Sequence, residues 1–213
     1  MVPIFFTDFR GRLKAALDRA LERGHRCDEL ELANQRLRAL LDFQETLKQK
    51  TVAGEIIGKD PSPWFRSIII NKGLRDGLRP SLPVIVPDGV VGIVTDVSER
   101  YAKVLMMIDQ NSAVDALVQR NRARGLIRGE AKEICTLEYV LYRHDLRAGD
   151  VVVTSGLDGV FPKGLRIGTV SRVTKKNAGI FQEVIVTPFV DFETIEEVLV
   201  ILSPPAHDAF YGK

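Results

Sequence analysis

Most of what would announce a catalyst or a nucleic-acid binder is missing from this chain of 213 residues. Its 30 basic and 28 acidic side chains leave a net charge of only +2, and neither sign gathers into a tail or stripe. That balance argues against a nucleic-acid partner. Only two cysteines occur, Cys27 and Cys135, too far apart to form a metal knuckle or a disulfide framework, and they do not decide the redox compartment. His25, His144 and His207 fall in three different regions with no chelating spacing. No run of about 18 apolar residues exists, so the stretch does not itself cross a membrane as a helix. Val2-Pro3-Ile4-Phe5-Phe6 is too short for a signal peptide and reads as the trailing edge of something removed. Aromatic residues make up only 7% of the chain, yet 45% is hydrophobic, which suits a folded protein with a moderate core.

Proline is also absent from Phe9 to Lys50, and there the sequence carries a seven-residue register. Leu13, Ala20, Cys27, Asn34 and Leu41 occupy one core position; Ala16, Arg23, Leu30 and Leu37 occupy the complementary one. Such spacing predicts a left-handed seam between helices, about 60 Å long at about 1.5 Å per residue. Leu30, Asn34, Leu37 and Leu41 form its better half, while Arg23 and the small residues weaken its start. A single seam asparagine pairs with its own copy and favours a parallel dimer. Leu13, Leu30, Asn34, Leu37 and Leu41 are therefore the expected dimerisation residues, with packing against the rest of the chain as the alternative. Cys27 reads as a small buried thiol, with an interchain disulfide as the other option.

The regime changes at Asp60-Pro61-Ser62-Pro63, where two prolines separated by one residue exclude a helix. Beyond Thr51 about a dozen short β-branched or alternating segments recur. Turn pairs such as Asp88-Gly89, Asn111-Ser112, Gly149-Asp150 and Asp158-Gly159 punctuate them. In one segment Cys135, Leu137, Tyr139 and Leu141 share a face, and Val104–Ile108 reads as an interior strand. This grammar predicts barrels or a sandwich. Pro87-Asp88-Gly89 followed by Gly92-Ile93-Val94 is echoed by Pro162-Lys163-Gly164 and Gly168-Thr169-Val170, which fits either a duplication or ordinary hairpin grammar. The expected organisation is a mainly β protein with an N-terminal helix. It comprises a coiled-coil helix at 1–50, two six-stranded barrel-like domains at 51–126 and 127–204, and a disordered tail at 205–213. Strand exchange between the two domains is left open.

His144, Asp145, Asp150 and Ser155 lie within a dozen residues, but a triad draws its members from separated segments. Thr154-Ser155-Gly156-Leu157 is no nucleophile elbow either. No catalytic, cofactor-binding or metal-binding set emerges. What stands out is apolar bulk at turns: Trp64 and Phe65, then Phe161 and Pro162, then Phe181. These are candidate partner contacts on a rigid scaffold or, equally, caps on open barrel ends.

Several long ordered stretches resemble one family. ELELANQRLRALLDF, DPSPW followed by NKGLRDGL, VIVPDGVVGIVTDVS, AKVLMMIDQNSAVDALV, RGLIRGE, GDVVVTSGLDGVFPKGLRIGTV and EEVLVIL are similar to the rod-shape-determining protein MreC family. The resemblance covers nearly the whole chain. It implies a membrane helix that is missing here, a dimerising coiled coil, and two β-barrels outside the inner membrane, in the periplasm or its equivalent. It implies a scaffold without enzymatic activity or cofactor, self-associating as a homodimer or filament. Such a scaffold connects the cytoskeletal MreB, through MreD, to the glycosyltransferase RodA and a class-B penicillin-binding transpeptidase. On that reading the second barrel, through Phe161 and Pro162, carries part of the transpeptidase contact. Periplasmic adaptors of secretion or efflux systems also join coiled coil to β domains, but their barrel strands flank a helical hairpin on both sides.

Overall fold

A computed structural model describes residues 4–60, 65–130, 134–174 and 180–202; Trp64 and the tail at 205–213 lie outside them. Helix α1 is a single element of 43 residues, Ile4–Thr46, as its proline-free sequence allows. Its last turn closes with Thr46 Oγ1 donating to the Phe43 carbonyl at 2.7 Å and Leu47 N donating to the Gln44 carbonyl at 3.1 Å. Met1–Asp42 form one compact unit and Phe43–Lys213 another.

Beyond the last turn of α1, the regular elements among the described residues of the second unit are strands, apart from a 3-10 turn at Leu74–Asp76. In chain order its strands are β1 (Thr51–Lys59), β2 (Ser67–Ile70), β3 (Pro83–Val86), β4 (Gly89–Val97), β5 (Ala102–Met106) and β6 (Ala113–Val118). They continue with β7 (Arg124–Gly129), β8 (Cys135–Leu141), β9 (Val151–Thr154), β10 (Arg166–Thr174), β11 (Phe181–Pro188) and β12 (Glu197–Ile201). They close into two six-stranded antiparallel barrels, one in the order β1-β12-β3-β4-β5-β2 and the other β10-β11-β8-β7-β6-β9. Closure leaves every strand paired on both sides, which removes sheet edges.

The handover between the barrels therefore differs from a cut at residue 126. β6 and half of β7 precede that point yet belong to the second barrel, and the chain returns at its end to complete the first with β12. β6 lies between β7 and β9, whereas β12 lies between β1 and β3. Adding six to each strand number turns the first barrel's order into the second's, with β12 passing to β6. The chain is thus two copies of a six-strand unit, β1–β6 and β7–β12, that have exchanged their last strands.

The match extends to single hydrogen bonds. Ser81 N donates to the Val94 carbonyl and Val94 N to that of Leu82; in the second copy Gly149 N donates to Val170 and Val170 N to Asp150. Ser81 and Gly149 both have left-handed backbones, at φ +68° and +90°. Bulges at Thr95 and Ser171 follow, and each hydroxyl donates across the ladder at 3.2 Å, to the carbonyls of Lys103 and Ile185. Gly92 and Gly168 are needed because a Cβ would come within 2.0 and 2.2 Å of the Leu105 and Thr187 carbonyl oxygens. Past β5 and β11, Asp109 accepts from Asn111 N at 2.7 Å and Asp191 from Glu193 N at 3.0 Å. The echo between Pro87–Val94 and Pro162–Val170 is the visible fragment of this repeat.

Both barrels bury the same kind of residue. Ile68, Val84, Val104, Val198 and Val200 fill the first and Ile127, Leu137, Val152, Val184 and Phe161 the second, all in one continuous cluster. A unit of this size has too little interior to stand easily alone. The barrels accordingly meet along the equivalent strands β4 and β10, where a Cβ on Gly89 would lie 2.3 Å from the Arg166 carbonyl oxygen.

Candidate interaction surfaces

The helix has an apolar face but no interior of its own. Leu13, Leu30, Leu37 and Leu41 are between 46% and 62% exposed, and Asn34 and Cys27 are exposed as well. Leu17 and Leu21, which the seven-residue register leaves out of the seam, are exposed to the same degree. A signal for them was present in the sequence: Leu13, Leu17 and Leu21 recur every four residues along one side of a helix.

At the second barrel the structure separates the aromatic candidates. Phe161 is 1% exposed and Pro162 is buried, so neither is a contact residue; both belong to the core. The cause is local. Asp158 Oδ1 accepts from the backbone N–H groups of Val160 and Phe161, and Thr154 Oγ1 donates to the Pro162 carbonyl at 2.5 Å while accepting from Leu165 N at 2.9 Å. These bonds fold the loop back over the barrel mouth and drive Phe161 inward, the capping alternative. Phe65, by contrast, is 53% exposed, and its neighbour Arg66 is pinned by a 2.7 Å bond from its N–H to the buried Asp109 carboxylate.

Phe181 is 42% exposed and meets the ring of Tyr139 edge-on, with centroids 5.7 Å apart and planes at 89°. Tyr139 does not share the inward face of Cys135 and Leu137 as simple alternation predicts. Glu138 and Tyr139 together oppose one residue of β11, so β8 is bulged there and its parity flips. Tyr139 turns outward with φ +63° while Val140 goes inside. A left-handed backbone is costly for a bulky L-residue, about 1–2 kcal/mol, and such outliers collect at working sites. Ile180, 64% exposed, extends the patch.

Beside the two rings lies a groove of about 410 Å³ whose walls include Glu130, Glu138 and Glu183. Glu138 pairs with Arg128 at 3.4 Å, and the Thr136 hydroxyl donates to Glu130. Under the groove, burial first and the Glu130 charge second push the Cys135 thiol up to about 12, so it stays protonated and unreactive.

The residues that superficially suggest a triad are dispersed into structural roles. Ser155 Oγ donates to Asp115 at 2.8 Å and accepts from Leu157 N at 3.0 Å. Asp150 is gripped by both arms of Arg120, at 2.7 and 2.8 Å. The His144 carbonyl accepts from the buried Gln182 amide at 2.9 Å. Among the described residues no three His, Cys, Asp or Glu side chains gather as a metal ion requires, and no helix is long and apolar enough to cross a membrane.

Comparison with known proteins agrees with this geometry. Residues 56–202 match the family described as rod shape-determining protein MreC, barrel core. The cell shape-determining protein MreC of Listeria monocytogenes is 30% identical over 195 residues, covering 89% of this chain and 66% of that protein. The MreC of Haemophilus influenzae, also 30% identical, is covered over only 50% of its length. The chain thus spans between half and two thirds of these relatives. A solved structure of MreC superposes with a TM-score of 0.77 at 32% identity, over 81% of this chain and 98% of that one. The fold recurs, at 16% identity and a TM-score of 0.60, over 73% of this chain and 99% of one in a complex between a penicillin-binding protein and MreC from Helicobacter pylori. From the paired barrels and the long matched segment, this chain belongs to the MreC family of cell shape-determining proteins.

Proposed function

We propose that this chain is a non-enzymatic scaffold of bacterial cell-wall elongation, working outside the cytoplasmic membrane as part of a longer protein anchored by an N-terminal helix. It twins through α1 and presents the second barrel to a class-B penicillin-binding transpeptidase. MreD and RodA complete the link to MreB. A penicillin-binding protein is the stated companion of the Helicobacter neighbour, which supports that choice of partner. The engagement of Ser155 and Asp150 in fixed hydrogen bonds supports the absence of chemistry. A scaffold of this kind modulates an enzyme only by binding one of its conformations more tightly than another.

The observation that carries the contact assignment is the outward aromatic pair Tyr139–Phe181, set on a strained bulge and extended by Ile180. Buried aromatic anchors dominate protein interfaces, and a ring already ordered in the free protein loses little on binding. Phe181→Asp is expected to abolish pull-down of the transpeptidase by the purified protein while circular dichroism shows the fold retained and stability falls only by the lost ring contact, about 0.5–1.5 kcal/mol. Undiminished pull-down would place the contact elsewhere.

A further inference from the structure

We infer that α1 pairs with a second copy of this chain in parallel through a seam whose register shifts once, at Cys27, so that Leu17 and Gly24, rather than Ala16 and Arg23, line its first half. This rests on the reading of α1 as a dimerising stalk and adds to it which residues meet. With the unbroken seven-residue register, Leu17 stands at the margin of the seam, Leu21 points away from it, and the Arg23 guanidinium sits inside it. Yet Leu13, Leu17 and Leu21 are 61%, 58% and 54% exposed, a run of apolar surface that the unbroken register mostly leaves in water. Taking Leu13, Leu17, Ala20 and Gly24 as the seam covers Leu17, brings Leu21 to its edge and moves Arg23 out to the flank.

The second half keeps Leu30, Asn34, Leu37 and Leu41. The two phases join through Cys27 with two consecutive steps of three residues instead of a three and a four. That is a three-residue discontinuity, which locally overwinds a coiled coil. Gly24 suits such a place. A mid-helix glycine costs about 1 kcal/mol relative to alanine, and apart from the adjoining helix backbone nothing lies within 4 Å of where its Cβ would be, so no packing contact calls for it.

Charge decides the occupant and its direction. Exposed Arg23, which the shift brings to the flank, stands five residues before exposed Asp28, and Arg26, which flanks the retained second half, stands five before Glu31. In a parallel pair such positions face one another across the seam. Arg23 therefore meets Asp28 of the second copy, and Arg26 meets Glu31. An antiparallel pair turned about Cys27 sets Arg26 against Arg26 and Asp28 against Asp28, which is repulsive. Asn34, at the one polar seam position, meets its own copy only in the parallel arrangement.

Sedimentation of the full chain over a concentration series tests this, with circular dichroism confirming that the barrels stay folded. Leu17→Lys is expected to weaken dimerisation by at least about tenfold, and Ala16→Lys to leave it within about twofold. Reversing Arg23 and Arg26 to Glu weakens it, and adding Asp28→Lys with Glu31→Lys restores it. A dimer broken by Ala16→Lys but indifferent to Leu17→Lys overturns the shifted register while leaving the stalk reading intact. Indifference to the Arg23 and Arg26 reversal overturns the parallel pairing. A wild-type chain that is monomeric throughout overturns the stalk reading itself.

Discussion

The two barrels share one plan of strand pairing, yet their hairpins are built differently. In the first, β3 and β4 are joined by a turn at 87–88, and β4 and β5 by a tight turn closed by Ser98 N on the Tyr101 carbonyl. In the second, the equivalent joints run through 155–165 and through the longer β10–β11 arm, where pairing continues to Thr174 and Glu183. One long joint turns inward and plugs the barrel with Phe161; the other carries Phe181 outward onto Tyr139. Where the first barrel buries Leu82, the second has Asp150 clamped by Arg120. The shared strands supply a frame, and the second copy carries the longer joints on it, as loops on a rigid scaffold permit.

If the exchange of β6 and β12 makes the barrels interdependent, damage to the returning strand should be felt in both. Val200 is fully buried between Val52 and Val84. Val200→Asp places an unpaired carboxylate there, at a cost of several kcal/mol. The expected result is loss of the single unfolding transition in calorimetry, although every strand of the second barrel is intact. A residual transition at the original temperature with roughly half the enthalpy would show the barrels to be independent.

The inward plug comes next in size. Phe161→Ala should lower stability by about 3–5 kcal/mol, the usual range for a buried phenylalanine. Urea unfolding would report it, and a change under about 1 kcal/mol would mean that the barrel mouth closes without the ring.

The clamp is smaller and depends on pH. Hydrogen bonds from Arg120 hold the Asp150 carboxyl below the ordinary carboxylate range, although burial pulls the other way, and the backbone N–H of Arg147 helps. The Arg120 guanidinium is raised in turn, chiefly by the same bonds. A carboxyl depressed by folding contributes stabilisation that is complete above its pKa in the unfolded chain and fades as the pH falls through the folded value. Asp150→Asn should therefore be less stable than the native protein at neutral pH, with the difference closing in acid. A difference that persisted unchanged at low pH would assign the loss to geometry instead of charge. Leu82, at the equivalent place in the first barrel, provides no such dependence.

Much of this was readable in the residues. The proline-free helix, the β-branched segments and the turn pairs gave the architecture because each is a local signal. The exchange of the last strands was hidden, since β6 and β12 look like any other short strands and their placement is decided by pairing partners far away in sequence. The choice between contact and cap at Phe161 was open in the sequence for a related reason: whether a loop aromatic turns in or out is fixed by the Asp158 and Thr154 hydrogen bonds, which no periodicity reveals. Tyr139 was missed because alternation assumes an unbroken strand, and a single bulge reverses the faces of everything after it.

The smallest effect probes that bulge. Tyr139→Gly removes the left-handed strain, about 1–2 kcal/mol, and forfeits the edge-to-face contact with Phe181, about 0.5–1.5 kcal/mol, so the midpoint of unfolding should hardly move. Tyr139→Ala forfeits the same contact but keeps the strain, because alanine at φ +63° is still an L-residue in the left-handed region. Glycine should thus exceed alanine at this one position by about 1 kcal/mol, the reverse of their order in ordinary strands. Both variants should lose transpeptidase pull-down, since both lack the ring. Alanine as stable as glycine would mean that the backbone at Tyr139 relaxes freely, and the bulge, which the equivalent β2–β5 ladder lacks, would store no strain. Glycine ahead of alanine, with binding lost in both, would identify strain retained for the sake of the Tyr139–Phe181 surface.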